Sequence, residues 1–201
     1  MKEGKKFKLT ELTTIYKGKT LHRIQALKDF GDVKEGDIGG YVQHEMNLSQ
    51  YGDCWIYDNA MAFNCSSVVE NAKLINNAKI LDFSCVAGNA VIGQDAILNG
   101  DIYIKDAKVS NVLITEYVEI VGDCEIKSNR DFYLFNLWYP YDEFVTYIPK
   151  YNIFTYRGQS YTKEELSKHK DFGQEGSIIL GILNRIVDLC KYYKDVYPNM
   201  K

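Results

Sequence analysis

The chain has no run of about 18 consecutive apolar residues, and its charged start, MKEGKKFKLT, holds no apolar stretch. These absences argue against a membrane-spanning helix and a secretion signal, and predict a cytoplasmic protein with no membrane partner. Basic residues are not in excess: 24 Lys and Arg stand against 27 Asp and Glu, which removes any general attraction to bulk nucleic acid. Histidine is scarce, with only His22, His44 and His169, and none falls between residues 53 and 128. A three-imidazole zinc site built from stacked repeats is thereby excluded. Five cysteines form no C-x-x-C pair and no Cys/His cluster, so they read as small buried thiols without a metal. Proline is missing from residues 53–128, as an uninterrupted ladder of backbone hydrogen bonds requires.

What fills that stretch is a repeat. From Asp53 the chain divides into DCWIYD, NAMAFN, CSSVVE, NAKLIN, NAKILD, FSCVAG, NAVIGQ and DAILNG, then the shorter DIYIK and DAKVS, then NVLITE, YVEIVG and DCEIKS. The second position is Ala, Ser or Cys in ten of 13 windows, and the fourth is Ile, Leu or Val in 12 of 13. Side chains alternate along a strand, so positions two apart face the same way and both columns point inward. The first position is Asn or Asp in ten of 13 windows. Those residues tolerate the left-handed backbone of a sharp corner, which places the corner there.

This pattern resembles the hexapeptide-repeat proteins, in which a small residue is followed two places later by a branched aliphatic one. The resemblance implies a mainly β fold, a left-handed parallel β-helix in which three windows close one triangular coil. Thirteen windows then make a little over four coils, on the order of 20 Å tall at about 4.8 Å per coil. Every third window stacks on one face, and the face begun by Asn59 presents Met61, Phe63, Leu81, Ile97 and Leu113 outward. A wall this apolar is larger than monomers leave in water, so these five are interface candidates. Their cover is expected from neighbouring subunits, with a trimer favoured by the resemblance, or from the C-terminal segment.

The flanks are separate units: residues 1–52, the repeat body 53–128, and 129–201. In the first, TTIYKGKTLHRIQALKDF predicts a hairpin about Lys17-Gly18, and Gly31, Gly36, Gly39 and Gly40 predict tight turns leading to the first coil. In the last, 12 aromatic residues crowd residues 132–161, alternating as in a small antiparallel sheet. Thr162 and Glu165 form a capping box for a short helix. A second helix near 177–193 sets Ile179, Ile182, Leu183, Ile186, Val187 and Cys190 on one side. This predicts an aromatic-rich α+β module whose rings chiefly fill its own core, with Trp138, Tyr139 and Tyr141 around Pro140 expected at the surface. Beside Arg157 these three form a candidate stacking platform for a ligand.

A further resemblance runs through LHRIQALKDFGDVKEGDIGGYVQHEMNLSQYGDCWIYDNA and the closing W, F-x-T-Y, N-x-F, R-G, T-K-E-E-L progression. Both are similar to phage and prophage proteins built on degenerate hexapeptide repeats. Two functional classes follow. The favoured one is a non-catalytic binding or assembly protein needing no cofactor, an accessory protein with a host protein or a small nucleotide as partner. In its sharper form it inhibits host defence by sequestering a nucleotide signal or binding a defence protein. The alternative is a hexapeptide acyltransferase using acyl-CoA, for which His44, with Glu45 beside it, is the one candidate general base.

Overall fold

In the computed structural model, residues 4–137, 143–170 and 176–196 are described. The chain divides into two compact units, Met1–Arg130 and Asp131–Lys201. The first is a β-solenoid of about five turns.

Each coil presents three faces, and each face is a parallel stack. One face stacks Trp55–Ile56, Lys73–Leu74, Val91–Gly93, Lys108–Ser110 and Glu125–Ile126. Another runs from Met61–Ala62 through Lys79–Asp82 and Ile97–Gly100 to Leu113–Ile114. The third contains Ser67–Val68, Cys85–Ala87, Ile102–Lys105 and Val118–Val121. The register is that of a three-window coil: Trp55 pairs with Lys73, Lys73 with Val91 and Val91 with Lys108. All 13 second-position and all 13 fourth-position side chains are at most 3% exposed, so the two columns meet on the axis. Backbone hydrogen bonds join coil to coil at both columns: Trp55 N–H donates to Ala72 O at 3.1 Å, and Tyr57 N–H to Leu74 O at 2.8 Å.

The solenoid starts earlier than the regular windows do. Strand β3 (Ile38–Val42) pairs in parallel with Met61–Ala62, and Leu48 bridges in parallel to Val68, so both are rungs of a first coil. That coil lacks the six-residue signature because a 3-10 turn, Glu45–Asn47, widens one of its corners. Gly39 and Gly40 accordingly lie inside β3 and not in turns. A Cβ on Gly39 would stand 2.6 Å from Ile56 O, and one on Gly40 2.5 Å from Ala60 O.

The corners also differ from the sequence expectation. In the first seven windows the left-handed residue is the sixth, not the first: Asp58, Asn64, Glu70, Asn76, Asp82 and Gln94 have φ between 52° and 60°, and Gly88 has φ 64°. Where a five-residue window removes one residue, the next first position takes over, as Asp106 and Asn111 do. First-position amides instead tie coil to coil. Asn71 Nδ2 donates to Asn89 Oδ1 at 3.3 Å, and Asn77 Nδ2 to Asp95 Oδ1 at 3.1 Å, each pair 18 residues apart.

Strands β1 (Phe7–Tyr16) and β2 (Lys19–Ala26) form the hairpin, with Lys17 and Gly18 at φ 47° and 73° in its turn. Strand β2 pairs antiparallel with β3 and so extends one solenoid face beyond the first coil. The hairpin also supplies a cover that the sequence reading assigned to other elements. Leu21 packs in one cluster with Phe63 and Leu81, all buried, with Tyr16, Met61 and Ile97 against it. Tyr16 meets Phe63 edge-on at 5.6 Å. Leu113, farther along the wall, is 52% exposed.

The second unit contains a four-stranded antiparallel sheet, Tyr133–Leu137, Glu143–Ile148, Ile153–Tyr156 and Gln159–Tyr161 in that order. It also holds helices α1 (Lys163–Ser167) and α2 (Gly176–Val196). Thr162 Oγ1 accepts from Glu165 N–H at 3.2 Å, and Glu165 Oε2 accepts from Thr162 N–H at 2.8 Å, closing the capping box. Tyr147, Phe154 and Tyr156 form the core with Leu166, Leu183, Ile186, Val187 and Cys190. Ile182, grouped with these by its spacing, is exposed instead, because it lies at the rim of the buried stripe. Among the cysteines, Cys54, Cys124 and Cys190 are buried, whereas Cys65 is exposed since it occupies a first-position corner.

Candidate ligand groove

A tight turn seats the lead-in segment on the solenoid. Phe30 and Val33 exchange two backbone hydrogen bonds across Gly31 and Asp32, at 3.1 and 2.8 Å. Phe30 packs edge-on to the buried Trp55 at 5.4 Å, which anchors the turn by an aromatic contact. Gly31 has φ 49°, and a Cβ there would come within 3.2 Å of Asp53 Cβ, so glycine suits both the backbone and the space.

The anchored turn presents Asp32 to the face of Lys73. Lys73 Nζ donates to both carboxylate oxygens at 2.8 Å, and the Tyr57 hydroxyl donates to Oδ1 at 2.6 Å. The Lys73 hydrogen bond, and then that of Tyr57, hold the Asp32 carboxyl below its ordinary range. Burial, then the facing Asp32, push the Tyr57 phenol above its usual value, so it remains a donor. Between this trio and the first-position ladder lies a groove of about 400 Å³, lined by Asp32, Asp53, Asn71, Lys73, Asn89 and Val91. The ladder wall is linked from coil to coil: Asp53 N–H donates to Asn71 Oδ1, Asn71 to Asn89, and Asn89 Nδ2 to Asp106 Oδ1 at 3.2 Å. Formal charges of Asp32, Asp53 and Lys73 leave the groove at −1.

Next to the groove, Lys6 is only 1% exposed. Its ammonium donates to the carbonyls of Gly52 at 3.1 Å and Cys54 at 2.9 Å, lies 3.2 Å from Cys54 Sγ, and faces the Phe30 ring at 5.0 Å. Desolvation lowers its pKa.

The residues singled out from sequence are scattered. His44 is exposed at the widened corner of the first coil, so it belongs to the solenoid after all. Its neighbour Glu45 is held by Lys5 Nζ at 2.7 Å. His22 Nδ1 lies 3.1 Å from Thr10 O, and His169 is edge-on to Tyr156 and Tyr161. Arg157 sits at φ 47° in the turn between Ile153–Tyr156 and Gln159–Tyr161, its guanidinium 5.4 Å from the Tyr156 ring. Trp138, Tyr139 and Tyr141 lie outside the described residues. No cluster of three or more His, Cys, Asp or Glu positioned to hold a metal occurs among the described residues, and no helix there is long and apolar enough to cross a membrane.

The chain is similar to an uncharacterized acetyltransferase, YdcK, of Escherichia coli strain K12. The two are 35% identical over 91 residues, which is 45% of this chain and 24% of that protein. The chain thus spans about a quarter of the relative's length. No family model matches the chain.

Sequence reading missed Asp32, Lys73 and Lys6. The period-18 column of Asp53, Asn71 and Asn89 was visible as a repeat, but its role as one wall of a groove depends on where the Gly31-Asp32 turn lands. No local pattern encodes that.

Proposed function

We propose that the chain is a β-solenoid binding and assembly protein whose first coils hold a small polar ligand in the groove beside Lys73. The carrying observation is that Asp32, Lys73 and Tyr57 lock one another in place. A polar wall fixed in this way costs little entropy when it binds. The charge of −1 selects a neutral or cationic ligand and works against the phosphates of a nucleotide signal or of acyl-CoA at this groove. The same reading keeps the chain among phage- or prophage-type accessory solenoids, with the lead-in segment carrying both that likeness and the groove. It also keeps self-association, by trimer contacts along the wall beyond the hairpin, where Leu113 is exposed.

The test is a thermal-shift panel of a diamine, a neutral sugar and ATP, run on the wild type, Lys73→Ala and Asp53→Asn. Stabilisation by the diamine that is weakened in Asp53→Asn, or stabilisation by the sugar that is weakened in both variants, is expected. Stabilisation by ATP that survives both substitutions would overturn the groove assignment.

A second reading, acyl transfer, is favoured by the name of the Escherichia coli relative and by the position of His44 at a solenoid corner. Glu45 is engaged by Lys5, so a base at His44 would need orientation from another subunit. Acetyl-CoA protecting the wild type from heat but not His44→Ala would favour this reading over the first.

A further inference from the structure

Helix α2 carries two apolar stripes. Leu183, Ile186, Val187 and Cys190 are buried in the second unit's core. On the other side, Ile182, Leu189 and Tyr192 are 40%, 53% and 59% exposed. Arg185 completes this outer stripe, giving positions 182, 185, 189 and 192 with the three-four-three spacing of a helix-pairing seam. Asp188 borders it. Arg185 and Asp188 are both exposed, and neither forms an ion pair among the described residues.

We propose that this stripe is an interface with a second copy of the chain, the two α2 helices packing antiparallel about a two-fold axis at the level of Val187. Ile182 then faces Tyr192 of the second copy, and Arg185 faces Leu189 and reaches Asp188. A two-fold interface must complement itself. One cation and one anion on opposite sides of the axis achieve this, and the aliphatic stem of Arg185 covers Leu189 while its head pairs at the rim. Parallel pairing would set Arg185 against Arg185 and is disfavoured by like charge. A few helical turns bury less than the roughly 800 Å² per partner of a standard interface. The dimer is accordingly reversible and concentration-dependent.

This inference rests on the self-association half of the proposed function, and sedimentation equilibrium of the full chain separates the two. A mass moving from one chain toward two with concentration is expected, and Leu189→Glu weakens the association at least tenfold. Arg185→Asp and Asp188→Arg each weaken it, and the double variant returns to within about threefold of the wild type, a rescue that a merely structural role would not produce. The charge pair decides the matter even if Leu189→Glu disturbs the fold. Association that survives every α2 substitution overturns this interface and leaves self-association through the solenoid standing. A monomer at all concentrations overturns both.

Discussion

The ammonium of Lys6 donates to the main-chain carbonyl of Cys54 at 2.9 Å, across 48 residues of sequence. One buried cation thus joins the start of the hairpin to the first regular window and satisfies the bend at Gly52 on the way. Lys6→Met retains most of the volume but leaves these carbonyls without a donor in a buried site. A loss of about 2–4 kcal/mol in urea unfolding is expected. A loss below about 0.5 kcal/mol would mean that water replaces the ammonium there.

Asp32 gives a pH signature. Its carboxyl is held below the ordinary 3.8 by Lys73 and Tyr57, so the unfolded chain binds the extra proton in the interval between the two values. The stability it contributes is complete above about pH 4 and falls away as pH drops through the lowered value. The group is largely exposed, which limits its contribution to at most about 1 kcal/mol. Asp32→Asn is expected to flatten the acid limb of a stability-versus-pH curve by that amount and to leave the neutral plateau lower.

Ala90 tests the inward columns. It is fully buried on the axis between coils, and Ala90→Leu adds three carbons where neighbouring rungs leave no space. A destabilisation of about 1–3 kcal/mol is expected in chemical denaturation. An unchanged midpoint would mean that the small column is a compositional habit and not a packing requirement.

The corner at Asn76 separates backbone strain from side-chain bonding. Its φ is 58°, its Oδ1 accepts from Gln94 N–H at 3.3 Å, and its own N–H donates to Asp58 Oδ2 at 3.0 Å. Asn76→Gly loses one long hydrogen bond but relaxes the backbone, whereas Asn76→Val must hold a branched side chain in the left-handed region. The valine variant should be less stable than the glycine one by about 1–2 kcal/mol in thermal unfolding.

The solenoid was legible because its determinant is periodic: Ala72, Leu74, Ala90 and Ile92 declare their direction by spacing alone. The corner was misplaced by one residue because Asn and Asp fill both the sixth and first positions, and composition cannot say which has φ above zero. The first coil was missed because its rung at Tyr41 is followed by an enlarged corner. The cover over Phe63 was assigned elsewhere because Tyr16 and Leu21 look like ordinary hairpin residues until the hairpin's tip reaches the wall. The groove was invisible for a related reason. Asp32 and Lys73 are 41 residues apart, and nothing local to either names the other.

The side-chain ladder has a consequence for how such a body changes length. Bonds such as Asn71 to Asn89 and Asn64 to Asp82 repeat at 18 residues, and only the shortened windows reduce the interval to 17, as between Asn89 and Asp106. Tandem duplication of an eighteen-residue cassette therefore keeps the spacing of the ladder at both joins, and a window shortened by one residue is absorbed at a corner, since Val109 and Ile114 stay buried beyond the two five-residue windows. Growth in whole turns is the inexpensive edit, and the groove, lying at the first turns, would survive any lengthening at the far end.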